Sequence, residues 1–164
     1  MVLAAPRSGT TWASNWLTTD TTLCLHDPLW TRHYSELDAI QSTKTLGIAC
    51  TGIALFPDWL NQHPARKVIL HRPLNEVDAS LAAIGLPPCS HAWQGVLERI
   101  SVWHLPWTDL WKRPALIYEH LLCRPFDHER FDQLRQMREQ PDFERVDIDP
   151  KHTQRMVRAM AGES

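Results

Sequence analysis

The sequence has no run of 18 or so apolar residues, so no membrane-spanning helix is expected. Its four cysteines, Cys24, Cys50, Cys89 and Cys123, lie far apart and form no CxxC pair. Neither a zinc knuckle nor a disulfide framework follows from them, and buried free thiols in a reducing compartment are the simpler expectation. The nine histidines show no HExxH or comparable ligand spacing, so no metal is expected. His33, His63, His91, His104, His120, His128 and His152 read as solvated or hydrogen-bonded structural residues. An excess of positive charge is also missing. With 17 Lys and Arg against 19 Asp and Glu, the net charge is −2, which speaks against a broad face for a nucleic-acid backbone but leaves room for a small cationic pocket. Internal repeats and low-complexity tracts are absent.

What is present is an ordinary apolar fraction, 43%, in 164 residues, which fits one domain over 1–164 with one core. Eight tryptophans are many for this length. They are either core, where large aromatics dominate burial, or the lining of a site for a flat or apolar ligand. Short apolar segments alternate with helical periodicities. Strands are expected at 2–5, 23–26, 67–71 and 115–118, and 47–55 reads either as a strand or as a buried turn. Helices are expected from Thr10 to about Thr19, from Pro57 to about Gln62, and from an Asn75 cap to Gly85 with Val77, Leu81 and Ile84 on one face. Another is expected from a Ser90 cap through Trp93, Val96, Leu97, Ile100 and Trp103 to just before Pro106. Two more begin at Asp127, carrying Phe131, Leu134 and Met137, and at Asp149-Pro150, carrying Met156, Val157 and Met160. The charged stretch 127–145 reads as a solvated helix face. Strands alternating with helices predict an α/β fold with a mainly parallel sheet flanked by helices. Ligands of such sheets bind at the carboxyl ends of strands, which directs attention to the loops after residues 5, 26, 71 and 118.

The first of these loops is the most informative. Against the phosphate-loop pattern GxxxxGK[ST], Gly9 and Thr11 take the second glycine and the hydroxyl positions, while Ala4 stands for the first glycine and Thr10 for the lysine. Amides from Ser8 to Thr11 at a helix N-terminus still suit an anion. The ammonium that reaches β- and γ-phosphates is gone, and no apolar run ending in Asp supplies a magnesium ligand. A mononucleotide carrying one transferable group suits such a loop better than a triphosphate. A plain strand-to-helix turn is the alternative.

Pro6-Arg7-Ser8-Gly9-Thr10-Thr11-Trp12 resembles the 5′-phosphosulfate loop of sulfotransferases that use 3′-phosphoadenosine-5′-phosphosulfate (PAPS), written P-[KR]-[SA]-G-T-[TS]. His71-Arg72-Pro73 through Ser80-Leu81 resembles that family's 3′-phosphate block, R-[DN]-P-x-x-x-x-x-S, with the Arg-to-Ser spacing kept and the residue between Arg and Pro missing or shifted. Ile117-Tyr118-Glu119-His120-Leu121, followed by Pro125, is similar to the family's late strand ending in Y-E-D-L. The blocks occur in the family's order over residues 2–125; the family's C-terminal R-K-G loop has no counterpart.

The resemblance implies a P-loop-type α/β fold, PAPS as sulfuryl donor with adenosine 3′,5′-bisphosphate as product, and a small-molecule or carbohydrate acceptor with a hydroxyl or amine. It also implies residue roles. Arg7 offsets charge on the transferring group; Ser8, Gly9, Thr10 and Thr11 hold the 5′-phosphate; Arg72 and Ser80 hold the 3′-phosphate; Trp12 stacks on adenine or, equally, belongs to the core. Leu25-His26-Asp27-Pro28-Leu29-Trp30 resembles the E-P-x-W segment of carbohydrate sulfotransferases, in which the glutamate is the proposed base. That makes Asp27 the first candidate base and His26, an imidazole suited to neutral pH, the second. Strand alternation predicts that the two point to opposite faces, and both adjoin the phosphate loop if the first two strands are neighbours. An Asp27-Pro28 turn is the structural alternative. Two other functions stay open: a small P-loop kinase, and a non-catalytic domain that binds nucleotide or protein. Only five residues precede the loop, so no signal peptide is expected, and the reading is of a cytoplasmic protein without a membrane or nucleic-acid partner.

Overall fold

A computed structural model of the chain describes residues 1–136. Its strands are β1 (Val2–Ala4), β2 (Thr22–His26), β3 (Thr45–Cys50), β4 (Val68–His71) and β5 (Trp103–Pro106). Its helices are α1 (Thr10–Leu17), α2 (Pro57–Gln62), α3 (Leu74–Ala82), α4 (Ser90–Leu97), α5 (Asp109–Lys112), α6 (Pro114–Leu122) and α7 (His128–Gln136). The strands form one five-stranded parallel sheet in the order β2-β3-β1-β4-β5, flanked by helices: an α/β fold. Among the described residues, no helix is long and apolar enough to cross a membrane.

Both faces of the sheet are covered, and the strand sequences show why. Side chains alternate between faces along a strand, so a sheet covered on both sides needs apolar residues at every position. Val2, Ala4, Val68 and Leu70 pack on one face with Trp12, Trp16, Tyr118 and Phe131. Leu3, Ala5 and Ile69 pack on the other with Ile53, Leu60, Val77, Trp93 and Leu97. Trp12, Trp16 and Trp93 are thus core, whereas Trp30 and Trp103 are exposed.

Strand order determines where a ligand goes. From β1 the chain crosses toward β2 on one side, and from β4 it crosses toward β5 on the other. The adjacent strands β1 and β4 therefore diverge in their connections, and the crevice beyond their carboxyl ends is the topological switch point. The loop 5–9 and Arg72 both lie there.

Several sequence expectations need correction. The segment 115–118 is helical, within α6, because Pro114 opens a helix at a position where no amide is needed. Trp103 leaves the helical stripe of α4, which ends at Leu97, and starts β5 instead; tertiary pairing with β4 overrides the helical periodicity. Asn75 lies inside α3 rather than capping it, since Pro73 takes the cap position. Ser90 is the first residue of α4, and Asp78 supplies the capping carboxylate, accepting from the Cys89 and Ser90 amides and the Ser90 hydroxyl. The segment 47–55 divides into the end of β3 and a 3₁₀ turn, Gly52–Leu55. Of the cysteines, only Cys24 and Cys50 are buried; all four are free thiols. The helix expected at 149–150 and its apolar residues lie outside the described residues.

Candidate functional site

The loop after β1 is built on left-handed backbone. Arg7 has φ 62° and Gly9 has φ 89°. Glycine takes that region freely, whereas a side chain there costs energy, so Gly9 is required and Arg7 carries local strain. A Cβ on Gly9 would also meet Leu110 Cδ1 at 3.1 Å. Gly9 is the cap residue of α1, and its carbonyl accepts from the Ala13 amide at 2.9 Å. The amides ahead of Ala13 therefore have no acceptor one turn back within α1, and the loop presents them together at the positive end of the helix. Such a concavity suits an anion.

Side chains from the second sequence block meet this loop. Arg7 Nε donates to Ser80 Oγ at 3.1 Å. Arg72 Nη1 donates to the Arg7 carbonyl at 2.6 Å, and Arg72 Nε pairs with Glu76 Oε2 at 3.1 Å. The Arg72 guanidinium also lies 4.7 Å from the centre of the Trp107 ring. Arg72 leaves the end of β4 while Ser80 is carried on α3, so the register of β1 against β4 is what brings the two blocks together. Ser8 is fully buried and Thr10 nearly so, while Thr11 is partly exposed.

The other flank of the loop holds His26 and Asp27. β2 is not the neighbour of β1, because β3 lies between them. His26 nevertheless reaches the loop, since α1 packs over β2 and β3. Its Nε2 lies 3.2 Å from both the Thr10 and the Thr11 hydroxyl oxygens. The same nitrogen is 3.2 Å from Asp27 Oδ2. The two side chains thus face each other rather than opposite ways. Asp27 lies just beyond the strand with φ 41°, and this left-handed step breaks the alternation. The second carboxylate oxygen, Oδ1, accepts from the Thr51 amide at 2.8 Å, which ties the end of β2 to the end of β3. Asp27 does start a turn, the 3₁₀ segment Pro28–Trp30, but its side chain bonds a backbone amide on a different strand connection. The buried Cys50 thiol beside it is held far above the usual thiol range, by burial first and by the Asp27 charge second.

Trp12 and the third sequence block lie away from this loop. Trp12 is 8% exposed and packs against Trp16, Trp111 and Phe131, so of its two readings the core one is what the structure shows. Tyr118 is wholly buried on α6, where its ring contacts Trp16 and Phe126 and its hydroxyl accepts from Arg124 Nε. The third sequence block therefore builds core rather than a strand-end loop.

The sequence reading gave His104 a structural role and His71 no role of its own. His71 Nε2 and His104 Nδ1 are 2.7 Å apart, with the rings nearly parallel at 14°. Burial chiefly, and His104 next, pull His71 below the usual imidazole range, with Glu98 acting in the opposite sense. The position of His71 directly before Arg72 at a strand end was a usable signal. Its partnership was not, because 103–106 carries a helical pattern in the sequence. No family model, no curated protein and no solved structure gives a significant match to the chain.

Proposed function

We propose that the chain binds PAPS at the switch point between β1 and β4 and transfers its sulfuryl group to a hydroxyl or amine acceptor. The observation that carries this is the meeting of two distant sequence blocks: Arg7 on Ser80 and Arg72 on the Arg7 carbonyl, beside a loop of helix-terminal amides. The donor set fits a nucleotide with two separate phosphate groups. Amides and hydroxyls at 8–11 suit the 5′ end, and the Arg72 fork with the Ser80 hydroxyl suits a 3′-phosphate. When bound, PAPS supplies the transferable sulfuryl group on a good leaving phosphate.

The chain's own residues then orient, neutralise and accept a proton. Arg7 places a guanidinium at the loop, where charge builds as the leaving oxygen departs. The proton acceptor is proposed within the His26–Asp27 pair. Both Asp27 oxygens are already engaged, by the Thr51 amide and by His26 Nε2. The carboxylate can only accept, and it holds the imidazole with Nε2 beside the Thr10 and Thr11 hydroxyls. His26 is therefore proposed as the base and Asp27 as its positioning residue, the reverse of the order suggested by the E-P-x-W resemblance.

The test is ligand selectivity. Adenosine 3′,5′-bisphosphate should raise the melting temperature more than AMP or ATP with magnesium, because only a ligand bound to the folded state shifts the transition. A larger shift with ATP and magnesium would favour a kinase. No shift with any nucleotide would remove the nucleotide reading altogether.

A further inference from the structure

The carboxyl ends of β4 and β5 border a cleft of about 610 Å³, lined by Ala5 beside the phosphate loop, Arg72, Leu97, Trp107, His71 and His104. Its walls are mostly apolar, and it opens next to the guanidinium assigned to the 3′-phosphate. Beside the Arg72 guanidinium, its polar groups include acceptors that hydrogen-bond connections identify. The Ile100 carbonyl lies 3.0 Å from His104 Nε2. A carbonyl can only accept, so that nitrogen carries hydrogen. With both rings neutral, His104 Nδ1 then holds the lone pair and His71 Nε2 donates to it across 2.7 Å. The ring nitrogen left to His71 is Nδ1, as an acceptor. Gln94, also in the lining, donates its amide nitrogen to Glu98 Oε1 at 2.8 Å and keeps its carbonyl oxygen as an acceptor.

We propose that this cleft holds a flat heteroaromatic base with an exocyclic amino group, and that His71, oriented by His104, reads that amino group and rejects an oxo group in its place. The inference rests on the nucleotide reading above, because the base belongs to the nucleoside whose 3′-phosphate meets Arg72. A largely apolar wall suits the face of a planar ring. An amino group brings two hydrogens to a place that offers acceptor atoms, whereas an oxo group would set lone pair against lone pair. A further phosphate fits the cleft poorly, since Glu76 from α3 offsets Arg72 and Glu98 from α4 adds negative charge near His71. The low-lying titration of His71 keeps its ring neutral at pH 7, which the acceptor role requires. The charged and titratable groups around it are Arg72, Glu76, Glu98 and His104.

The experiment is calorimetric titration of the full chain with adenosine 3′,5′-bisphosphate and with inosine 3′,5′-bisphosphate, in which an oxo group replaces the amino group and the neighbouring ring nitrogen N1 gains a hydrogen. The wild type should prefer the amino form by about tenfold or more at neutral pH. His71→Phe, which keeps a ring against His104 but no nitrogen, should bring the two affinities together. In the wild type the ratio should shrink as the pH falls below the ordinary imidazole value, because protonated His71 donates instead of accepting. Titration of the phosphates affects both ligands alike and cancels in the ratio. Equal affinities in the wild type, or a preference that survives His71→Phe, would overturn the inference and leave the nucleotide site standing. Failure of both ligands to bind would overturn the two together. Should His71→Phe not fold, the wild-type pH series decides, and a ratio that stays constant into acid refutes the role of His71.

Discussion

Replacing Arg72 with alanine separates the proposed phosphate-reading role from a loop-support role, because both would rest on this one side chain. Its guanidinium donates to the Arg7 carbonyl at 2.6 Å, pairs with Glu76 and lies over Trp107. A hydrogen bond from a charged group contributes about 1.5–3 kcal/mol. The half-exposed Glu76 pair adds little, about 0–1 kcal/mol, and the ring contact about 0.5–1 kcal/mol at such a site. These share one side chain and do not sum, so the loss in unfolding free energy should be on the order of 2 kcal/mol. The effect on binding is separable. If the fork meets a 3′-phosphate, adenosine 3′,5′-bisphosphate should lose about 1.5–3 kcal/mol, roughly 10- to 150-fold in Kd, while AMP should lose little. Arg72→Lys should recover part of the stability but little of the selectivity, because an ammonium lacks the planar fork. Calorimetry with both nucleotides on wild type and variants reads this directly. Equal wild-type affinity for the two nucleotides would refute the 3′-phosphate assignment. An equal loss for both in Arg72→Ala would reduce Arg72 to a prop for the Arg7 carbonyl.

In a sulfuryl-transfer assay with a panel of sugar and phenol acceptors, His26→Gln should lower turnover by roughly 10²-fold with bisphosphate affinity unchanged. Asp27→Asn should lower it as well, since His26 loses the carboxylate that orients it; an inactive Asp27→Asn beside an active His26→Gln would return the base role to Asp27. Gly9→Ala should destabilise by about 1–2 kcal/mol from the left-handed backbone alone, with Leu110 adding a clash, as read by denaturant unfolding. Thermal stability should fall as pH drops through the ordinary imidazole value near 6.5, because His71 is depressed in the fold and the unfolded chain takes up its proton first. His71→Phe should flatten that slope, and an unchanged slope would place the proton uptake at another group.

How much of this was legible beforehand varies by element. The β4 segment, Val68-Ile69-Leu70-His71, is apolar on successive residues, and only a strand buried on both faces uses such a run economically. The Pro-Arg-Ser-Gly-Thr-Thr turn marks its own loop, because it needs glycine where the backbone turns left-handed and hydroxyls where a helix begins. The spacing of Arg72 and Ser80 was equally local. These features depend on neighbours in sequence, and the sequence determined them by itself.

The tertiary structure decided the rest, wherever the physics is long-range. Residues 103–106 carry a helical stripe and became a strand because β4 offered a free edge. Residues 115–118 are apolar enough for a strand and became helix after Pro114, which buried Tyr118 in the core. The contact of His26 with Asp27 required a left-handed residue that strand alternation cannot foresee, and its reach to Thr10 and Thr11 required α1 to cross β3. The pairing of His71 with His104 followed only once β5 was in place, since residues 33 apart become neighbours through strand register and through nothing in their own composition.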